Sequence, residues 1–127
     1  MESERYRRGD KILGEIYGKE GARVMSELEA VCPDLVRYIK EFPFGDIYSR
    51  SGLDLKTREL ITVAALTAIG NALPQLKSHI HGALNVGCSR AEVMEVILQM
   101  AVYAGFPAAL NGMAAAGEVF NQRDRSA

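Results

Sequence analysis

The chain has 127 residues, 48% of them hydrophobic and 24% charged, which is the composition of one ordinary globular domain and excludes a disordered or fibrous protein. Fifteen Lys and Arg residues against sixteen Asp and Glu residues give a formal net charge of −1, which argues against a nucleic-acid-binding surface. Two widely separated cysteines and the lack of an apolar signal segment after Met1 favour a reducing, cytoplasmic location. We expect a single domain over residues 1–127.

Apolar residues recur at spacings of three and four throughout the chain, which predicts an all-α protein of six or seven helices. In the N-terminal half we expect three helices, then a bend and a short helical turn. The predicted ranges are 4–17 with an end near Gly18 to Gly21, 22–31, 33–42, a bend over 42–45 and a turn within 46–52.

The C-terminal half carries clearer helix boundaries. Gly70 and Gly87 are placed to end helices, and Ser89 with Glu92 forms a capping box that begins the next one. The predicted helices are 55–69, 74–86, 91–104 and 107–121.

An uncharged run over residues 96–117 is long enough to cross a membrane. Gly105, Phe106 and Pro107 interrupt it with the signals of a helix end and a new helix start, so we expect no membrane span. The last helix has Ala and Gly where polar residues would normally face water, which favours burial in a homo-oligomer. A central helix inside a monomeric bundle is the alternative.

The only two histidines, His79 and His81, project about 200° apart on a helix and cannot bind one metal ion together. Spacing places His79 on the apolar face and His81 on the opposite side. Glu59 also lies on an apolar helix face, where an unpaired carboxylate is unfavourable by several kcal/mol. We therefore expect a Glu59–His79 pair that can transfer protons. A purely structural pair, or Glu59 turned toward Arg58 or Lys56, remains possible.

The other chemical signals are weak. Cys32 and Cys88 precede predicted helices but have no neighbouring cysteine, and burial as small apolar side chains is the default for both. Phosphate-binding loops, a nucleophilic serine motif and zinc-ligand spacing are all missing, so no metal and no cofactor is predicted.

Three segments carry a family resemblance: 57–66 (TRELITVAAL), 78–87 (SHIHGALNVG) and 95–109 (EVILQMAVYAGFPAA). In this order they resemble the carboxymuconolactone decarboxylase family of the alkylhydroperoxidase D-like superfamily, over about residues 53–120. The N-terminal helices, over about 4–50, precede the resemblance.

The resemblance implies an all-helical subunit that forms a homo-oligomer, typically a hexamer built from dimers or trimers. It also implies cofactor-free decarboxylation of a small carboxylated lactone such as gamma-carboxymuconolactone, in aromatic catabolism. His79 would be the general acid and base and Glu59 the residue that orients it. His81, Arg58 and Tyr103 would bind the substrate.

The chain departs from both branches of the superfamily. Ala72 and Gln75 occupy the positions of the two redox cysteines of alkylhydroperoxidase D. His81 occupies a position where the decarboxylases commonly have arginine, and Lys77 or Arg58 would have to compensate. Two alternative functions stay open: a peroxide-reducing protein that uses Cys88 or Cys32, and a non-catalytic helical ligand-binding oligomer.

Overall fold

A computed structural model describes residues 2–127, and in that range it contains helices and no strands, which confirms the predicted all-α class. The α-helices are α1 (Glu4–Glu29), α2 (Pro33–Ile39), α3 (Leu55–Ile69), α4 (Leu73–Asn85), α5 (Arg90–Ala104) and α6 (Phe106–Ser126), and a π-helical segment occupies Lys40–Tyr48. The chain folds as two compact units, of which the first ends at Leu55 and the second begins at Lys56.

Helix α1 of the N-terminal unit contains the predicted break. Gly18 has φ 60° and ψ −139°, a conformation that glycine adopts without steric cost. The chain returns to helical geometry directly after Gly18, so the first two predicted helices form one kinked element.

The predicted bend over 42–45 and the predicted turn within 46–52 are wrong, because Lys40–Tyr48 continues from α2 as a π-helix. Pro43 lies inside this segment and has no N–H to donate to an α-helical ladder. Packing against α1 accounts for the continuous backbone. A Cβ atom on Gly9 would lie 1.7 Å from the carbonyl oxygen of Lys40, and one on Gly45 would lie 2.4 Å from that of Arg5.

Charged side chains border this glycine contact. Arg5 donates hydrogen bonds to both carboxylate oxygens of Asp46, and Arg8 donates to the carbonyl oxygen of Gly45 at 2.7 Å. The hydrogen bond from Arg5 lowers the pKa of the Asp46 carboxyl below its ordinary value. Lys40 forms an ion pair with Asp10 at 2.9 Å. These contacts hold the π-helical segment against α1.

The C-terminal unit contains an apolar core to which α3, α4, α5 and α6 contribute. Its buried residues are Val63, Leu76, Ile80, Ala83, Cys88, Val93, Ile97, Ala115, Ala116 and Val119. The predicted helix ends are present: Gly70 and Gly87 have φ values of 81° and 105°. The Ser89–Glu92 capping box is formed in both directions.

The small residues of α6 pack inside the subunit. A Cβ atom on Gly112 would lie 2.9 Å from Ile97 Cγ2 and 2.9 Å from Thr67 Cγ2. Ala115 and Ala116 are buried in the same core. The lack of a polar face on α6 is therefore explained in part by contacts within one chain, which sequence analysis had assigned to partner subunits.

Gly105, with φ 92°, separates α5 from α6 and divides the uncharged run as predicted. Within residues 2–127 no helix combines the length and hydropathy needed to cross a bilayer. Four large apolar or aromatic side chains around this junction are strongly exposed: Val102 at 75%, Tyr103 at 78%, Phe106 at 76% and Leu110 at 68%. We refer to these four as the α5–α6 apolar patch.

Candidate active site around Glu59 and His79

Glu59 lies on the buried face of α3. Glu59, Val63 and Thr67 follow one another at intervals of four residues and are the buried residues of this helix. The Glu59 side chain is 0% exposed, so the predicted position of this carboxylate on an apolar helix face is correct. A carboxylate at such a position requires a partner, because burial removes its hydration.

His79 on α4 provides that partner. Its Nδ1 atom lies 2.9 Å from Oε2 of Glu59, and its side chain is 18% exposed. An ionised carboxylate can only accept, so His79 donates Nδ1–H to Glu59. The bond fixes the ring orientation. It leaves Nε2 as the atom that can gain or lose a proton while the contact with Glu59 is kept.

The second carboxylate oxygen of Glu59 is not satisfied by the subunit. Oε1 is buried and has no hydrogen-bond partner within residues 2–127. Leaving a buried polar atom without a partner costs roughly 1–3 kcal/mol. Such atoms are rare in folded proteins and are concentrated where a ligand or a water molecule completes the structure.

His81 is half-buried against α6, so the prediction that it faces away from the core describes only its position relative to His79. Its Nδ1 accepts a hydrogen bond from Nη1 of Arg123 at 3.2 Å, because a guanidinium can only donate. Its Nε2 then carries the hydrogen and donates to Oε1 of Gln122 at 3.2 Å. Nη1 of Arg123 also donates to Oδ1 of Asn85 at 3.1 Å.

The remaining predicted site residues lie apart from this pair. Arg58 is half-buried and directly precedes Glu59 on α3. Tyr103 belongs to the exposed α5–α6 apolar patch, so a ligand or another chain would have to cover it. Lys77, considered as a replacement for arginine at position 81, forms an ion pair with Glu118 at 2.6 Å.

Neither cysteine forms the dithiol arrangement of the peroxide-reducing branch. Ala72 lies at the N-terminal cap of α4 and Gln75 is exposed in its first turn, which confirms that α4 carries no thiol at these positions. Cys88 is buried and donates from Sγ to the carbonyl oxygen of Lys56 at 3.5 Å. Cys32 is exposed and belongs to the N-terminal unit. No group of three or more His, Cys, Asp or Glu side chains within residues 2–127 is arranged to hold a metal ion.

Sequence analysis did not identify Arg123 or Gln122 as part of a polar cluster. The last helix was expected to end near Asn121, which left both residues outside it. One signal was available, because Val119 and Arg123 continue the four-residue spacing of the buried face of α6.

The helical fold and the three motif segments define a class of protein, and comparison with known sequences identifies it. The model of the carboxymuconolactone decarboxylase family matches residues 33–118. The chain belongs to this family, as the resemblance predicted.

Three relatives illustrate the range of the family. A 4-carboxymuconolactone decarboxylase from Acinetobacter baylyi is 34% identical over 94% of this chain and 89% of its own length. An uncharacterized 15.0 kDa protein from Paracoccus denitrificans is 36% identical over 79% of this chain and 75% of its own. A nitrosuccinic acid decarboxylase from Metarhizium robertsii is 36% identical over 65% of this chain and 57% of its own.

Proposed function

We propose that this protein is a decarboxylase of a small carboxylated lactone, with gamma-carboxymuconolactone as the first substrate to test. The observation that carries the proposal is the buried Glu59–His79 pair with an unsatisfied carboxylate oxygen. The relatives named as decarboxylases of 4-carboxymuconolactone and of nitrosuccinic acid support a carboxylic acid substrate.

The reaction requires a proton donor and a site that tolerates developing charge. Carbon dioxide leaves when the bond between a ring carbon and the carboxylate breaks, and the electron pair passes into the conjugated lactone. A proton then adds to carbon. The net change is loss of carbon dioxide and gain of one proton, so the reaction needs neither an oxidant nor a reductant.

His79 is suited to supply this proton from Nε2, because Nδ1 is occupied by Glu59. Its partial exposure gives solvent a route to replace the proton after each turnover. Glu59 acts as a positioning residue that fixes the orientation of the ring. Its Oε1 atom is available to accept a hydrogen bond from a hydroxyl or protonated carboxyl group of the bound molecule.

A carboxylated substrate also requires a cation. We assign this role to Arg58, since it is half-buried and adjacent to Glu59 on α3. His81 projects from the other side of α4 and would contact only a substrate held against a second subunit. Tyr103 would contribute in the same way.

Assembly into a homo-oligomer, with a hexamer as the expected form, is part of this proposal. The α5–α6 apolar patch supports it, because clustered exposed aromatic and aliphatic side chains commonly mark protein interfaces. A covering subunit would also remove Tyr103 from water.

The direct test is carbon dioxide release from gamma-carboxymuconolactone and a panel of related carboxylated lactones by the purified protein. The proposal expects turnover that is unaffected by a chelator and requires no added cofactor. Consumption of hydroperoxide with a thiol reductant, in the absence of decarboxylation, would instead favour the peroxide-reducing alternative. Saturable binding of a lactone acid without turnover would favour a ligand-binding module.

A further inference from the structure

Arg123 is a half-buried cation that no acidic side chain neutralises. Its Nη1 atom donates to His81 Nδ1 and to Asn85 Oδ1, which are both neutral acceptors. It forms no ion pair with any residue within 2–127. The acids nearest to it along α6 are engaged elsewhere, Glu118 with Lys77 at 2.6 Å and Asp124 with Arg90 at 2.7 Å.

The guanidinium is held in place while most of its donors remain unused. Two neutral acceptors fix Nη1 on α4, and His81 is itself held by Gln122. The Nε–H and Nη2 groups of Arg123 have no hydrogen-bond partner in the described part of the chain. These two groups form the edge of the guanidinium that binds a carboxylate through two parallel hydrogen bonds.

We propose that Arg123, positioned by His81 and Asn85, forms a carboxylate-binding site at the contact between α4 and α6. A carboxylate suits this site better than a phosphate dianion, because one guanidinium among neutral neighbours balances one negative charge. Binding would supply the counter-charge that the subunit itself does not provide.

This site is separate from the Glu59–His79 pair. His79 and His81 project about 200° apart around α4, so the two clusters lie on different sides of that helix. The bound carboxylate therefore belongs either to a substrate held against a neighbouring subunit or to a second small acid. The first source rests on the proposed decarboxylase function, whereas the site itself does not.

The test uses succinate as the probe and the imidazole NMR signals as the readout. The chain has only two histidines, and the His79→Gln variant assigns the remaining signals to His81. We expect saturable shifts of the His81 signals with succinate and none with neutral succinamide. Arg123→Gln should weaken succinate binding by about tenfold or more, as expected for loss of hydrogen bonds to a charged group.

Arg125→Gln is the matched control, because Arg125 is an exposed arginine on the same last turn of α6. It should titrate like the unmodified protein. Arg123→Lys keeps the charge without the two-pronged geometry and should bind with intermediate strength. Thermal melting of all variants separates loss of binding from loss of folding. Equal succinate affinity in Arg123→Gln and the unmodified protein would overturn the proposal, and so would unchanged His81 signals.

Kinetics identify the source of the carboxylate. A raised KM for the lactone acid in Arg123→Gln with an unchanged kcat indicates the substrate of a neighbouring subunit. Lost succinate binding with unchanged KM and kcat indicates a second acid. If no lactone acid is turned over, the proposed function fails, while the succinate titration still decides whether this site exists.

Discussion

Glu59 and His79 are 20 positions apart in the sequence, and the Oε2 and Nδ1 atoms of their side chains are 2.9 Å apart. The carboxylate is fully buried, while the imidazole is partly exposed. This asymmetry assigns different roles to the two residues. The partly exposed ring can exchange a proton with solvent or substrate, and the buried carboxylate can only hold the ring.

Replacing His79 should remove most of the activity. Loss of a general acid or base typically lowers the rate by about 10²–10⁴-fold, and we expect a fall of this size in kcat for His79→Gln. Glutamine approximates the size of imidazole and can donate to Glu59, so the fold should persist. Steady-state kinetics and thermal melting check both expectations. Gln75→Ala, an exposed change on the same helix, is the control. Full activity in His79→Gln would eliminate His79 as the proton donor.

Replacing Glu59 should affect catalysis through the ring of His79. In Glu59→Gln the acceptor becomes a neutral amide, and we expect kcat to fall by about tenfold or more with little change in KM. Because the change also removes a buried charge, the free energy of unfolding should fall little. A shift of the His79 imidazole NMR signals would accompany the loss of activity, and Glu59→Asp should restore part of it. A rise in KM alone would contradict the positioning role.

The pair itself could be predicted from sequence because helical periodicity determines which side chains share a face. Glu59 occupies the same stripe as Val63 and Thr67, and His79 lies between Leu76 and Ala83 on the inner side of α4. Glycine and capping signals located the helix ends for a similarly local reason. Gly70 and Gly87 needed only a backbone conformation that L side chains rarely adopt.

The features that could not be predicted depend on contacts between distant segments. The π-helical segment is held by the approach of Gly45 to Arg5, and nothing near Pro43 in the sequence indicates that approach. The contact of Arg123 with His81 spans 42 positions. A sequence pattern indicates which side of a helix faces inward, but it does not indicate which distant polar group will meet it there.

The cysteines should be dispensable for the principal activity. We expect the Cys32→Ser, Cys88→Ser double variant to retain decarboxylation, because neither thiol belongs to a dithiol motif. Serine at position 88 can still donate to the carbonyl oxygen of Lys56, so stability should change little. Turnover assays and thermal melting of the double variant check this. Lost turnover in a folded double variant would revive the thiol-dependent alternative.

The α5–α6 apolar patch should mediate self-association. We expect the protein to elute in size-exclusion chromatography well above its chain mass of 13.9 kDa. Leu110→Asp should reduce the apparent mass while leaving the helical circular dichroism intact, because Leu110 is exposed in the single chain.

Gly112→Asp is the contrasting control for assembly. It should unfold the chain, since Gly112 packs against Ile97 and Thr67 inside the subunit. An unmodified protein that is monomeric at micromolar concentration would contradict self-association. Unchanged assembly of Leu110→Asp would show that the interface lies elsewhere.

Two glycines of α1 should respond in opposite directions to the same substitution. A Cβ atom on Gly9 would meet the carbonyl oxygen of Lys40 at 1.7 Å, so Gly9→Ala forces α1 away from the π-helical segment. Overpacking of this kind typically costs about 1–3 kcal/mol, and contact with backbone places Gly9→Ala at or above the upper end. A Cβ atom on Gly14 would meet nothing within 4 Å. Gly14→Ala should therefore stabilise α1 by about 0.5–1 kcal/mol, because alanine loses less conformational freedom than glycine in a helix. Urea denaturation followed by circular dichroism measures both changes. Equal free energies of unfolding for the two variants would show that the contact between α1 and the π-helical segment is not what holds the N-terminal unit together.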